Sequence, residues 1–415
     1  MPATQFTTGS ADVTGTTYVL QEAISGYTDE AYTAARKLSG TGIVSSGAAG
    51  IDPSTETFTG QLRWRTNVNS NINIASLTNS ADGQLSTYGT DLLKYDKTVR
   101  TRGAQQINMK QVVTQEDGLA KIGRDFGEAR AQDEHDAILA ILKGVAVAEA
   151  LRGSGGASGA TGTGGQTFTN DPTDSTKGFY VDLGADKLIS AVGTNPSGTA
   201  NLAYVGAQRG EAFLNAFGMA FKDYEPEWAY LVVSPSILAS LRSANLVDST
   251  KVTDGNIDFS TIYDGKFRLI QTRANQSIAD ADRTIINSGT TLADGTDIDG
   301  PITSFLVLPG AIALEPLSVP IPVEIQRDAG SYNGGGTTEI WNRWGYIAHP
   351  VGYDWIGSTA KFASDAEYAY AVESGTPTAV GSVTSGLNGN YSVTGTWERK
   401  TASVLSLGIL PIFHS

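Results

Sequence analysis

The chain has 415 residues, a formal net charge of −14 and only 17% charged residues, where an ordinary soluble domain carries roughly 25%. It contains no cysteine, which excludes a disulfide framework, a thiolate nucleophile and a cysteine metal cluster. The acidic balance argues against a dedicated nucleic-acid binder, whose affinity comes from Lys and Arg on phosphates. It suits a protein that stays dissolved at high concentration.

The length predicts about two or three domains, and 48 glycines beside 40% hydrophobic residues predict turns and extended arms rather than disorder. Residues 1–54 are rich in Thr, Ser, Ala and Gly, with a weak helical pattern over Tyr18–Ala35 (Leu20, Ile24, Tyr27, Ala31). They read as an arm with little core of its own. Residues 55–113 read as a long two-stranded hairpin. Phe58, Leu62, Trp64 and Val68 share one parity, Arg63, Arg65 and Asn67 the other, Asn79–Gly83 is a turn cluster, and the return runs through Thr98–Val113. That alternation is the pattern of a half-buried strand.

A long helix is predicted from Thr114-Gln115-Glu116-Asp117, which resembles a capping box, to a stop at Arg152-Gly153. Leu119, Ile122, Phe126 and Ala129, then Ala137, Ile138, Ile141, Leu142 and Val145, form its apolar stripe. Its charged middle, Asp125–Asp136, is expected to be solvated or to face other chains. Gly153–Gly165 is a small-residue loop. Asp186–Val192 and Gln208–Tyr224 read as helices split by an insertion at Gly193–Ala200. Trp228–Val233, Gly265–Thr272 and Ile302–Leu308 read as strands, with a helix at Pro235–Ala244. Leu317–Gln326 and Thr338–Trp355 alternate strongly, and 358–415 has strand patterns ending in the apolar Val404–Phe413.

The first basic residue is Arg36, so a secretory n-region is missing. The apolar stretches Ala137–Leu151 and Ile302–Val323 are broken by Lys143, Glu149, Glu315 and prolines. The expectation is a soluble chain with no membrane segment and no export address.

Catalytic signatures are missing. The three histidines, His135, His349 and His414, form no H-E-x-x-H motif. Glu134-His135-Asp136 cannot converge on one ion, because consecutive helical residues diverge. His349 reads as a satisfied structural histidine. Gly159–Thr167 has the composition of a phosphate loop but no lysine after Gly164. No G-x-S-x-G elbow is present. No catalytic, cofactor-binding or metal-binding residue is therefore expected. The aromatic group Trp341, Trp344, Tyr346, Tyr353 and Trp355 reads as core.

Charge distribution is more informative. Glu56–Lys110 holds seven basic residues (Arg63, Arg65, Lys94, Lys97, Arg100, Arg102, Lys110) and four acids (Glu56, Asp82, Asp91, Asp96), so it is +3 and the rest of the chain −17. An Arg-x-Arg on each arm puts two guanidiniums on one strand face. A basic hairpin on an acidic body predicts docking on another copy of that body, with Arg63, Arg65, Lys94, Lys97, Arg100 and Arg102 as the contact residues.

The order of these elements resembles the major capsid protein of tailed bacteriophages, with the Hong Kong 97-type fold. Four segments carry the likeness: Trp228–Arg242, Phe305–Leu314 with its Pro-Gly-Ala turn, Val323–Asp328, and Trp344–Gly357 with His-Pro-x-Gly-x-x-Trp. The resemblance implies an α+β fold with an N-arm (1–54), an extended β-hairpin loop (55–113) and a peripheral domain with a spine helix (114–176). It further implies an axial domain (177–315) and peripheral return strands (316–357), leaving a β-rich extension (358–415). It also implies a non-enzymatic virion component, assembled in the host cytoplasm as hexamers and pentamers of an icosahedral shell. Such a shell encloses double-stranded DNA without specific binding and takes separate scaffold, portal and decoration proteins as partners. Some members cross-link through Lys–Asn bonds, but no motif match assigns Lys94, Lys97 or Asn342 to that chemistry. A nanocompartment or gene-transfer shell of the same fold is the near alternative. A secreted β-rich surface-layer or adhesin protein is the alternative from another class.

Overall fold

The computed structural model describes residues 13–36, 38–45, 57–65, 90–107, 118–153, 167–168, 179–182, 191–194, 200–202, 210–211, 213–215, 217–218, 226–254, 257–272, 302–357, 361–369, 371–374, 382–384, 391–394, 396–399 and 407–414. The fold is α+β.

Two helices dominate one side. The arm helix spans Val13–Ala35 and the long helix Gly118–Gly153, 36 residues or about 54 Å at ~1.5 Å per residue. The expected cap at Thr114–Asp117 lies outside the described residues. The apolar stripe serves two cores. Its first half, with Phe126 at 1% exposure, packs with Ile24 of the arm helix and with Val323 and Ile340. Its second half, Ala137 to Ala146, enters the main core.

The main core lies against an eight-stranded sheet. Its order is Val247–Asp254, Ile257–Ile262, Phe267–Gln271, Ala229–Val233, Ile302–Val307, Ile409–His414, Val181–Asp182 and Thr167–Phe168. Ala229–Val233 is buried at every position, as a central strand covered on both faces must be. The helix Pro235–Ser243 follows it, started by Ser234, whose hydroxyl accepts the Ile237 N–H, and by proline at the first turn. Ile409–His414 lies inside this sheet, so the end of the 358–415 segment does not stand apart from the body.

The second sheet is built around the 14-residue strand Thr337–Pro350. Ile312–Leu317 and Val323–Asp328 flank it on one side and Thr98–Ile107 on the other. Val44–Ser45 extends the sheet beyond Ile312–Leu317. Between Val323–Asp328 and this long strand, Tyr332 and Asn333 both hold positive φ (51° and 55°), a conformation that costs a non-glycine residue roughly 1–2 kcal/mol. Backbone bonds from Gly335 to Tyr332 and from Gly336 to Ser331 close that turn.

Several expectations change. The strand Thr90–Asp96, not Thr98–Ile107, is the hairpin partner of Thr59–Arg65. The alternating pattern is right for both segments, but alternation reports half-burial and carries no information on which strand is the neighbour. Ala191–Thr194 is a strand paired with Ala200–Leu202, so the expected helix does not include Ala191 and Val192; its residues 186–190 lie outside the described residues. In the second expected helix, Gly210–Glu211, Phe213–Asn215 and Phe217–Gly218 are helical. Phe213 and Phe217 there are fully buried.

Candidate functional site

The hairpin forms a sheet of its own. Thr59–Arg65 and Thr90–Asp96 form a two-stranded sheet whose strands bond only to each other among the described residues. A two-stranded ribbon is marginal by itself in water. Its attachment comes from one face of the second strand. Leu93 and Tyr95 are 0% exposed, while Leu92, on the other face, is 49% exposed. The Lys94 backbone N–H donates to Asp354 Oδ1, and the Lys97 N–H donates to the Phe58 carbonyl. Phe58 and Phe362 meet edge to face at 4.9 Å and are both 41% exposed.

The six predicted contact residues do not share one surface. Arg63 and Arg65 lie on the first hairpin strand, opposite Leu92 and Thr90; their side chains lie outside the described residues. Lys94 is exposed on the second strand. Lys97 is buried, at 6% exposure, at the junction with the body. Arg100 and Arg102 belong to the body sheet, opposite Trp344 and Asn342. Arg100 is occupied within its own chain: its Nε lies 3.3 Å from Asp133 Oδ1, and Nη2 lies 2.6 Å from Asp365 Oδ1. The second Arg-x-Arg is therefore on the body sheet and not on the hairpin, and Arg100 is paired with carboxylates of its own chain. The hairpin proper, Thr59–Asp96, holds Arg63, Arg65 and Lys94 against Asp82, Asp91 and Asp96. It is neutral, so the +3 of the wider segment comes from residues of the body.

The charged middle of the long helix is also used internally. Glu134 is 2% exposed. The Tyr32 hydroxyl donates to its Oε1 and Oε2 at 2.6 and 2.7 Å, and Arg130 Nε stands 3.6 Å from Oε1. Arg130 also lies 4.2 Å over the Tyr32 ring, a cation–π contact. Trp344 Nε1–H donates to Asp133 Oδ2 at 2.9 Å. These bonds clamp the arm helix and the body sheet to the long helix, so the expectation of a solvated middle does not hold for Glu134 and Asp133. The helices also touch directly. A Cβ at Gly127 would lie 2.3 Å from the Thr28 carbonyl oxygen, and one at Gly123 2.8 Å from the Tyr27 Cβ. The Gly-x-x-x-Gly spacing that permits this was in the sequence and is the signal that a charge-based reading passes over.

A cleft of about 780 Å³ opens between the arm helix, the long helix and the large sheet. Ala31, Leu38, Ala131, Phe259 and Leu269 line it, with Glu30, Arg124, Glu128 and His135 at its polar wall. Among the described residues no three His, Asp or Glu side chains gather as metal ligands.

Four of the five aromatic residues expected in the core are there: Trp344, Tyr346, Tyr353 and Trp355. Trp341 is not, at 39% exposure; it lies over Gly103, where a Cβ would meet its ring at 2.8 Å. His349 is buried, as expected, and apart from a contact with the Tyr353 backbone its ring nitrogens have no well-formed hydrogen bond among the described residues. It stands edge-on to Tyr95 and Trp397, and burial pushes its pKa down to about 4, weakly opposed by the Tyr353 backbone.

Sequence reasoning missed a buried ion pair. Arg399 Nη1 lies 3.4 Å from Glu149 Oε2, with side chains 1% and 0% exposed, and the same oxygen accepts the Phe179 N–H at 2.6 Å. A separation of 250 residues leaves no local signature.

No helix among the described residues is long and apolar enough to cross a membrane. No protein-family model matches the chain, and no curated protein matches it. Among solved structures, the chain is similar to the capsid of the cyanophage P-SCSP1u (10% identity, TM-score 0.42, covering 74% of this chain and 84% of that one). It is also similar to the capsid of Ralstonia phage GP4 (16%, 0.41, 77% and 85%). A third similar structure is the head of Helicobacter pylori bacteriophage KHP40 (11%, 0.39, 91% and 89%).

Proposed function

We propose that the chain is a major capsid protein, the non-enzymatic subunit of an icosahedral head shell that encloses double-stranded DNA. One observation carries the reading. The hairpin Thr59–Arg65/Thr90–Asp96 is a two-stranded ribbon that bonds to no other strand among the described residues; Leu93 and Tyr95 pack one face of its second strand on the body, and Leu92 is exposed on the other. Such a ribbon gains stability by lying on a further surface, and a neighbouring copy in a closed shell supplies one. The order of elements found in the sequence supports this, as does the arm helix laid along a long spine helix.

In this reading residues 1–54 are the arm, 55–113 the extended loop, 114–176 and 316–357 the peripheral domain, and 177–315 the axial domain. The strand Ile409–His414 of the 358–415 extension is added to the sheet of the axial domain. The subunits form hexamers and pentamers, with separate scaffold, portal and decoration proteins as partners. The location is the virion capsid, assembled in the host cytoplasm. The overall acidity suits a lining past which DNA slides, because basic residues would hold it.

Arg63, Arg65, Lys94 and Arg102 remain the proposed inter-subunit contacts. Exposed ion pairs are worth only about 0–1 kcal/mol each, so their effect comes from repetition over many copies. The test is Arg63→Glu with Arg65→Glu, and separately Leu92→Asp, with particle yield by electron microscopy measured beside the circular dichroism of the subunit. Both variants should fold and assemble poorly, and raised salt should weaken the wild-type contact. Normal particle yield from both variants would overturn the docking role of the hairpin. A wild-type chain that stays monomeric at every salt and concentration would overturn the shell.

A further inference from the structure

The base of the hairpin contains a carboxyl group in an unusual setting. Asp96 is the last residue of the hairpin's second strand, and Lys97 alone separates it from the body strand Thr98–Ile107. Asp96 is 0% exposed. Its Oδ2 accepts the Ala363 N–H at 3.0 Å. Its Oδ1 is buried with no well-formed hydrogen bond. A buried carboxylate whose oxygens are not all well bonded costs several kcal/mol unless it takes up a proton.

The groups around it are distributed over three elements. From the segment 361–369 come Glu367 and Tyr368, and the Tyr368 hydroxyl bonds Thr98 Oγ1. Against the upward push of burial, hydrogen bonds from Lys361 and Ser364 hold Glu367 below its ordinary value, so it stays ionised. Asp365 in that segment is paired with Arg100. Along the hairpin strand itself, Tyr95 packs on His349, which is neutral well above its value of about 4. Asp354 receives the Lys94 N–H, and Lys97 is the next residue. Burial pushes Asp96 up to about 7; the Ala363 and Lys97 backbone N–H groups and Tyr368 oppose this, and the charge of Glu367 reinforces it.

We propose that Asp96 is a proton-operated latch: with its carboxyl protonated the hairpin base is held against the segment 361–369, and ionisation of that carboxyl loosens the hold. The sign follows from linkage. The closed state binds the proton more tightly than the open state, whose value is about 3.9. The hold is therefore complete below about pH 4, declines as pH rises, and is at its minimum above about 7.

The test is amide hydrogen exchange on the full-length, unassembled subunit, comparing wild type with Asp96→Asn at each pH so that intrinsic exchange cancels. The reporters are the N–H of Lys97, bonded to Phe58, and the N–H of Ala363, bonded to Asp96. The wild-type to variant ratio should rise about tenfold per pH unit between pH 5 and 7, and level off above. A constant ratio over that range overturns the latch. Should Asp96→Asn not fold, Glu367→Gln takes its place. Removing that negative neighbour should move the levelling-off point of the wild-type curve to lower pH, and an unmoved point overturns the proposal. Because the readout is made on the free subunit, it stands or falls separately from the shell reading.

Discussion

Replacing Glu149 by glutamine probes how the end of the long helix is held. At an effective dielectric constant near 20, unit charges 3.4 Å apart attract by about 5 kcal/mol. Desolvation of both groups offsets most of that, so the intact pair contributes little net stability. Breaking it is different, because Arg399, with its side chain 1% exposed, is then left charged in the core. The expected loss for Glu149→Gln is about 3–5 kcal/mol. Folded domains commonly hold about 5–15 kcal/mol in total, so the fall in the urea midpoint should be large. The double variant Glu149→Gln/Arg399→Met removes the stranded charge and should be more stable than Glu149→Gln alone. Urea unfolding followed by circular dichroism measures all of these, and the coupling energy comes from the double-mutant cycle. A single variant within about 1 kcal/mol of wild type would refute the reasoning, as would a double variant as costly as the two single changes added together.

Phe126→Ala empties the small core shared with Ile24, Val323 and Ile340; the expected cost is about 3–5 kcal/mol by thermal or urea unfolding. Gly127→Val should push the arm helix off the long helix, because its side chain meets the Thr28 carbonyl. Protease sensitivity within Val13–Ala35 should rise while the large sheet stays folded. Tyr32→Phe leaves Glu134 buried with fewer donors and should cost about 1–3 kcal/mol. For His349 the folded pKa, about 4, lies below the ordinary value near 6.5. Its contribution is therefore full above about pH 6.5 and is lost as pH falls through about 4. His349→Phe should flatten that part of the stability–pH curve, and an unchanged slope would contradict a neutral, buried ring.

The sequence shows local order well and partnership poorly. The runs Leu119, Ile122, Phe126, Ala129 and Ile138, Ile141, Val145 repeat every three or four residues, and that period is enough to find the long helix and its buried side. Ser234-Pro235 marks the start of the short helix because a hydroxyl and a missing N–H do specific work there. Thr98–Ile107 shows the limit. Its alternation is real, but a strand's two edges present backbone groups that any strand can meet, so the partner is decided by the distant segment Thr337–Pro350. The misassigned Arg100 and Arg102 follow directly: placed on the hairpin they face outward, whereas on the body sheet Arg100 meets Asp133 and Asp365.

Charge counting failed for the same reason. A net charge belongs to a surface only when the residues share that surface, and Glu56–Lys110 is divided between a neutral ribbon and the edge of the body. The division falls at Asp96, one of the four acids in the segment's charge count. Its side chain leaves the strand on the face opposite Tyr95, and its burial arises because the segment 361–369 closes over it, with the Ala363 N–H donating to its Oδ2. A buried acid at such a junction is set by the packing of the strand that carries it and by the segment closing over it from 361–369. Neither can be read from the spacing of residues around 96. The boundary between ribbon and body is thus also where the chain's charge is most sensitive to its fold. A net charge computed over a segment of sequence should be re-divided wherever a strand changes sheets.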